Sequence, residues 1–163
     1  MKPLPLLLLL LTALPTFARL GETKAECETR YGKPIVTLTD TERFIKADIQ
    51  IQITYLSDKA SHIEYERRTA TPDAADKKPK DLTETELTVF LDANKGNSHW
   101  KKRASDSTWI KWERADGGAS ATYWVKTGSL TVQLTAFEEH MAKETAKAAA
   151  EKANKEAKKL DGF

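Results

Sequence analysis

The stretch "LGETKAECETRYGKP", residues 20–34, carries the start and stop signals of a short helix. Thr23 and Glu26 fit a capping box, in which a hydroxyl accepts a bond from the third amide and a carboxylate reaches back to the cap. Gly32 supplies a left-handed position after the last turn, and Pro34 prevents the helix from resuming. The sequence therefore predicts one short helix ahead of the rest of the domain.

This helix, predicted from Thr23 to Tyr31, contains Cys27, the only cysteine of the chain. Cys27 and Tyr31 are four residues apart and therefore share a face. Because so short a helix is marginal alone, we expect these two side chains to dock it against a core. A thiol there is most simply a small buried hydrophobe. The alternatives are an intermolecular disulfide and a catalytic thiol, for which Arg30 is a cation at helical spacing.

The first residues, "MKPLPLLLLLLTALPTFA" (1–18), have a basic start, an apolar core and small residues at the end. This layout is typical of a secretory signal peptide, and it predicts cleavage after Ala18 and an exported protein, periplasmic or secreted. A core of about 11 apolar residues is too short to span a bilayer, and no later stretch is apolar enough to do so. Cys27 lies well beyond the cleavage site, which argues against a lipoprotein anchor.

The charges of the chain are nearly balanced, with 26 Lys and Arg residues against 24 Asp and Glu residues. The two signs are interleaved along the sequence. Nucleic-acid binding draws on clustered Lys and Arg side chains that release counterions from the phosphates. The sequence therefore predicts no nucleic-acid partner.

Beyond the first helix the apolar period changes from helical to two. After a short strand at "IVTLT", the apolar residues of the segment 45–55 occupy odd positions, which predicts one antiparallel strand with one buried face. A turn at "SDKA" precedes a third strand, in which Ile63 and Tyr65 continue the apolar face. Residues 69–81 lack apolar periodicity and contain two prolines, which is typical of a solvated loop.

The same plan recurs in the second half, where Thr83 and Glu86 form another capping-box match. Halves this small rarely fold alone. We therefore expect one α+β domain over residues 19–135, with helix and three strands in each half and both short helices on the apolar face of a shared antiparallel sheet. The order of the elements leaves the pairing between the halves open. The second helix has Leu87, Phe90 and Leu91 on its apolar face. The three strands predicted for the second half are Thr108–Arg114, Ser120–Lys126 and Leu130–Thr135.

Residues 136–163 are rich in Ala, Lys and Glu, and they predict a long, charged C-terminal helix. Phe137 and Met141 are its only large apolar residues before Leu160, so we expect docking in the first turns and a solvated helix beyond. The alternative is a coiled-coil oligomer through a narrow stripe of alanines that admits a second helix. The stripe contains Ala142, Ala146, Ala149, Ala153 and Ala157.

Residue types that carry chemistry are scattered through the chain. His62, His99 and His140 stand apart and show no metal-ligand spacing. Glu64 and Glu66 alternate on one predicted strand, where they are more typical of a solvated face than of an acid–base pair. The sequence contains no glycine-rich phosphate loop and no nucleophile elbow. We therefore predict no catalytic, cofactor or metal site, and a protein that is not an enzyme.

Aromatic residues cluster in the second half: Trp100, Trp109, Trp112, Tyr123 and Trp124. Strand parity places Trp109 and Trp112 on opposite faces, and likewise Tyr123 and Trp124. One set should join the core, and the other should cover the outer side of the sheet. Exposed tryptophans there suggest a surface for a sugar ring or a protein partner, unless a loop or the C-terminal helix covers them. The candidate partner-binding residues are Trp109, Trp112, Tyr123 and Trp124.

The opening stretch, together with "FLDAN", "HWK" and "WERADGGASATYW", resembles a family of uncharacterised small secreted bacterial proteins of planctomycete and verrucomicrobial type. That resemblance covers most of the mature chain and implies no known activity. The first helix alone is similar to the opening of small outer-membrane assembly lipoproteins and of the β-lactamase inhibitory protein fold, where such a helix precedes antiparallel strands. This chain lacks the lipidated cysteine of those lipoproteins, and no functional residue transfers.

An export signal, the lack of a catalytic motif and a Trp-rich sheet together predict a non-catalytic binding or assembly module. Its expected partner is a protein or an envelope polymer. An inhibitor-like domain that blocks a secreted enzyme is the alternative, and an undetected hydrolase is the third hypothesis. The sequence predicts no cofactor for any of them.

Overall fold

The computed structural model of the protein describes residues 19–68 and 81–160. The predicted signal peptide, with its cleavage site at Ala18, and nearly all of the predicted loop 69–81 lie outside the described residues. The described residues form an α+β fold in which three helices accompany an eight-stranded antiparallel sheet. The elements are α1 (Lys24–Tyr31), β1 (Val36–Thr37), β2 (Thr41–Lys46), β3 (Ile49–Leu56), β4 (Lys59–Arg67), α2 (Glu84–Asn94), β5 (Trp100–Ser105), β6 (Trp109–Arg114), β7 (Ala119–Trp124), β8 (Ser129–Leu134) and α3 (Thr135–Leu160).

The strands lie in the order β1-β2-β3-β4-β8-β7-β6-β5, and every neighbouring pair is antiparallel. Each half of the chain contributes one helix followed by four strands. The halves meet at the centre of the sheet, where β4 pairs with β8 and Ile63 lies opposite Val132. Both side chains are fully buried. The predicted shared sheet is confirmed, and it is the final strands of the two halves that join it.

Residues 45–55 form a tight hairpin and not the single strand that their alternation predicted. The turn is Ala47–Asp48, where both residues have left-handed φ values of 50° and 62°. A two-residue turn reverses the parity of the chain, so Phe44 is the buried residue before it, whereas Ile45 faces the other side opposite Gln50. Glycine and asparagine usually mark such a turn, and this one contains neither. The prediction was wrong because the turn has no local signal.

Strand β5 was also missed. With this strand and the hairpin at residues 45–55, the described residues of each half form four strands where three were predicted. Its sequence "WKKRAS" shows no apolar alternation, and every residue after Trp100 is exposed. β5 pairs with β6 and forms one edge of the sheet. Charged side chains are common on edge strands, because they hinder pairing with another chain. Such a strand is read easily as a loop.

Both predicted capping boxes are present. The glutamate carboxylate accepts a bond from the backbone N–H of the cap at 2.7 Å in each, Glu26 from Thr23 and Glu86 from Thr83. The first helix ends where predicted, with a φ of 83° at Gly32, although the ψ of −169° there is extended and not left-handed helical. Both short helices therefore start at the same local signal.

Helices α1 and α2 pack on the same face of the sheet, as predicted. Cys27 and Tyr31 dock α1, whereas Phe90 docks α2 with Leu87 and Leu91 at its margin. One core therefore serves both halves. Its largest fully buried side chains are Tyr65, Phe44, Phe90, Ile51, Ile53, Ile63, Leu130 and Val132.

Helix α3 starts directly after β8 and begins on the opposite face of the sheet. The rings of Phe137 and His62 are in contact, with centroids 5.3 Å apart. The Glu138 carboxylate accepts bonds at 2.6 Å from a serine of β7 and a glutamine of β8. Residues 141–159 are all exposed, which confirms the prediction that only the first turns dock. Met141 was expected to dock with Phe137, but it is 47% exposed and takes no part. No helix within the two described ranges is long and apolar enough to cross a membrane.

Deletion of residues 147–163 is expected to lower the helical circular dichroism but to leave the thermal midpoint within a few degrees. Residues 147–159 are exposed, and the one pair with Glu four residues before Lys in this segment, Glu151–Lys155, contributes only about 0.2–0.5 kcal/mol. Thermal unfolding and sedimentation velocity of the full and shortened chains provide the check. A collapse of stability, or conversion of a dimer to a monomer, would instead identify the alanine stripe as an oligomer interface.

Candidate binding site

The face of the sheet opposite α1 and α2, which we term the outer face, carries rows of side chains that run across the strands. Residues paired on neighbouring antiparallel strands point to the same side of the sheet. Hydroxyl, amide, carboxylate and cationic groups thus stand side by side, about 4.8 Å apart from strand to strand. We term the central row of side chains on this face the middle row. It contains Arg43, Gln52, Glu64, Thr131, Thr122 and Lys111.

The tryptophan pair, Trp109 and Trp124, flanks the middle row on one side. The two residues lie directly opposite each other on β6 and β7. Trp124 is 41% exposed, whereas Trp109 is half-buried and has the Lys111 ammonium 5.2 Å from the centroid of its ring. One indole is therefore open to a ligand, and its neighbour already carries a cation over its ring.

The other two residues predicted for this surface, Trp112 and Tyr123, point to the helix side of the sheet. Tyr123 is buried in the core, and Trp112 packs against that core while half-buried. Trp100 is also partly buried against the core, and its indole N–H donates to a carbonyl of α2 at 2.7 Å. The predicted parity is confirmed, because Trp109 pairs with Trp124 on the outer face. The predicted four-residue surface therefore separates into two outer and two inner residues.

A third row flanks the middle row on the side away from the tryptophan pair. It includes His62, Gln133 and Ser120, which lie side by side on β4, β8 and β7. The first turn of α3 stands on this row, through the ring of Phe137 and the carboxylate of Glu138. The middle row is thus bordered by indole rings on one side and by the start of a helix on the other.

Arg43 and Glu64 give the middle row much of its charge, and both are half-buried. The Arg43 guanidinium donates to Gln52 at 2.8 Å, and its buried Nε–H has no acceptor among the described residues. Burial raises the pKa of Glu64, the charge of Glu66 adds to the rise, and Arg43 opposes it. Burial lowers the pKa of His62 on the third row. The outer face therefore holds polar groups that are partly withdrawn from water and not all partnered.

Cys27 does not belong to the outer face, because it is fully buried between α1 and the other side of the sheet. Burial raises the pKa of its thiol to about 11. The Tyr55 hydroxyl, also in this core, donates to the buried carboxylate of Glu42 at 2.9 Å. Because the thiolate is the reactive form, such a thiol is inert near neutral pH. These contacts support packing over the disulfide and catalytic alternatives.

Cys27 is expected to react slowly with a bulky thiol reagent in the native protein and rapidly in denaturant, because its sulfur is buried and protonated. Substitution Cys27→Ser should lower the free energy of unfolding by about 1–3 kcal/mol, since it buries a more polar hydroxyl. Cys27→Ala should cost less if the site closes. Labelling kinetics and denaturant unfolding measure the two effects. Immediate labelling of the native protein would contradict the packing role.

The histidines do not converge. His62 belongs to the third row, His140 is half-buried on α3, and His99 is exposed just before β5. Within residues 19–68 and 81–160, no group of three or more His, Cys, Asp and Glu side chains could hold a metal ion.

The middle row was not predicted as a site. Gln52, Glu64, Thr122 and Thr131 occupy the polar positions of their strands, which alternation marks only as solvent-facing. They become neighbours through the β4–β8 pairing, for which the sequence has no local signal. The one available indication was that long polar side chains recur at alternate positions of strands in both halves, as at Gln50 and Gln52 and at Lys111 and Glu113.

No match was found when the chain was compared with protein-family models, with curated proteins and with solved structures. The resemblance of its sequence to small secreted bacterial proteins therefore stays a prediction.

Proposed function

We propose that the chain is a non-catalytic exported binding module, and that its outer face binds a protein or an envelope polymer. The observation that carries this proposal is the tryptophan pair, because Trp109 and Trp124 are adjacent on a regular sheet and Trp124 is 41% exposed. An exposed indole leaves a large apolar ring in water, and a partner that covers it gains the free energy of its burial. The signal peptide predicted by the sequence supports a place outside the cytoplasm for this partner.

The sheet supports the tryptophan pair rigidly. Trp109 and Trp124 form the end pair of the continuous ladder between β6 and β7, and the Val125 N–H donates to the Thr108 carbonyl at 2.9 Å just beyond them. On the other side of the same strands, Ile110 and Tyr123 pack against the core. Side chains on regular strands are held more accurately than side chains on loops. The surface therefore needs little ordering when a partner binds, which favours affinity.

Two arrangements bear on whether the module also has catalytic activity. The Cys27 thiol is buried and protonated, so it offers no nucleophile. Glu64 and Glu66 are successive outer residues of β4, and the raised pKa of Glu64 is a property that a general acid needs. A hydrolase is thus the alternative that this carboxylate pair favours, and a test of function has to include it.

The proposal is tested by co-sedimentation of the mature chain with an insoluble bacterial envelope fraction. The wild-type chain is expected to sediment with the fraction, and Trp124→Ala is expected to weaken binding at least about threefold, as the loss of an aromatic contact implies. Leu38→Ala is the matched control, because it removes a side chain that is 63% exposed at the far edge of the sheet. No binding, or equal binding of wild type and Trp124→Ala, would contradict the proposal.

Release of soluble sugar or peptide from the same fraction is measured in parallel. Release that is abolished by Glu64→Gln would identify a hydrolase and overturn the non-catalytic proposal. A loss of the fraction's own hydrolytic activity with wild type, but not with Trp124→Ala, would identify the inhibitor-like alternative.

A further inference from the structure

We infer that the outer face binds an uncharged polysaccharide, whose chain lies along the middle row and across the strands with one sugar ring stacked on Trp124. This inference rests on the proposed function, since it names the chemical class that the same surface takes. Four properties of the described residues carry it: the hydrogen-bonding groups of the row, the open indole beside it, the balance of charge, and the scarcity of exposed apolar side chains.

The middle row presents groups that hydrogen-bond well to sugar hydroxyls. The Thr122 and Thr131 hydroxyls can donate and accept, the Glu64 carboxylate accepts, and the Arg43 guanidinium donates in a planar fork. Arg43 is half-buried, and its guanidinium donates to the Gln52 side chain at 2.8 Å. With one polar group every 4.8 Å or so, the row suits a polymer that repeats hydroxyl-bearing rings along its length.

Trp124 supplies the stacking surface for one ring. A sugar ring presents C–H groups on its faces and hydroxyls around its rim, so it packs flat on an aromatic ring while its rim stays polar. Thr122 lies two residues before Trp124 on the same side of β7, about 7 Å away along the strand. The strand therefore places a hydroxyl at the rim of a ring that is stacked on the indole.

The charges beside the stacking position favour a neutral chain. Arg43 and Lys111 in the middle row are balanced by Glu64 in the same row and by Glu66, the next outer residue of β4. Lys111 already lies over the ring of Trp109. A site for a polyanion needs an excess of cations, which raises the local concentration of the anion. The middle row and the row that contains the tryptophan pair, which would contact the polymer, have no excess of cations.

A protein partner would find little apolar surface next to the tryptophan pair. The centre of a protein interface is depleted of charged residues and dominated by apolar and aromatic side chains. The middle row is polar or charged along its length. Among residues 19–68 and 81–160, the exposed large apolar side chains other than Trp124 are Ile35, Val36 and Leu38 around β1, Val125 after β7, and Met141 on α3.

Affinity electrophoresis with soluble polysaccharides tests the inference. The probes are three neutral polymers, hydroxyethyl cellulose, galactomannan and dextran, and one polyanion, polygalacturonate. At least one neutral polymer is expected to retard the wild-type chain. Trp124→Ala and Glu64→Gln are expected to weaken that retardation about three- to tenfold, and Leu38→Ala to leave it unchanged. Retardation by the polyanion alone, abolished by added salt, would overturn the inference.

The envelope fraction separates failure of this inference from failure of the proposed function. It is treated with protease, or with periodate, which cleaves carbon–carbon bonds between adjacent hydroxyls. Trp124-dependent sedimentation should survive protease and be lost after periodate. The opposite result, together with no retardation by a neutral polymer, overturns the polysaccharide and leaves a protein bound by the same face. Absence of any Trp124-dependent binding overturns both.

Discussion

Replacement of Phe90 by alanine is expected to lower the free energy of unfolding by about 3–5 kcal/mol. Phe90 is fully buried, and its ring stacks on that of Tyr65 with centroids 4.2 Å apart and planes 6° from parallel. Truncation would open a cavity between α2 and β4. The helix is held at both ends and cannot readily move to fill the cavity, because Glu86 forms an ion pair with Arg67 of β4 and Asn94 donates to the Tyr65 hydroxyl of β4. Denaturant unfolding followed by circular dichroism measures the loss.

Two variants serve as controls for this experiment. Phe90→Leu keeps most of the apolar volume, so it should lose less than about 1.5 kcal/mol. Phe137→Ala removes the same atoms from a half-buried ring on the outer face, and it should cost well under half as much as Phe90→Ala. Equal losses in the free energy of unfolding for Phe90→Ala and Phe137→Ala would contradict the prediction that the Phe90 ring stabilises the core more than a half-buried ring does.

Replacement of Asn94 by alanine is expected to lower the free energy of unfolding by about 2–4 kcal/mol, because it removes three hydrogen bonds and the loss of one buried bond costs about 1–3 kcal/mol. Asn94 ends α2 and is 2% exposed. Its Oδ1 accepts from the backbone N–H of Leu20 at 2.9 Å. Its Nδ2 donates to the Tyr65 hydroxyl at 3.0 Å and to the Phe90 carbonyl at 2.8 Å. One amide thus connects the segment before α1, the end of α2 and the central strand β4.

Asn97→Ala is the matched control, because this asparagine is exposed in the turn after α2. It should change stability by no more than about 0.5 kcal/mol. Native-state hydrogen exchange adds a local readout: Asn94→Ala should speed exchange of the Leu20 amide, and Asn97→Ala should not. Unchanged exchange at Leu20 would mean that Asn94 does not hold the segment before α1.

The parts of the fold that the sequence predicted well are those with local signals. The helices begin where Thr23 and Thr83 cap them, because each cap is completed by a glutamate three residues away. The opposite faces of Trp109 and Trp112, and of Tyr123 and Trp124, were also predicted, because alternation within one strand needs no knowledge of its neighbours. The sequence did not indicate which of these residues are exposed. Both kinds of signal act over a few residues, and at these positions the tertiary contacts agree with them.

The parts that were missed depend on contacts between distant residues. The turn at Ala47–Asp48 forms because Phe44 and Ile51 pair with their buried side chains on one side, and its own residues favour no such turn. The middle row exists because Glu64 on β4 meets Thr131 on β8. That register is set by packing across both halves, so no window of the sequence contains it.

The central pairing of β4 with β8 has a consequence for the order in which the chain can fold. The first half is made before the second, and its strand β4 then has a free edge that includes Ile63 and Tyr65. The strand that covers this edge, β8, is the last of the eight. An open edge of this kind pairs readily with other chains, and pairing between distant segments is slow. We therefore expect a chain shortened anywhere before Ser129 to leave the edge of β4 open to pairing with other chains, and not to form a smaller domain.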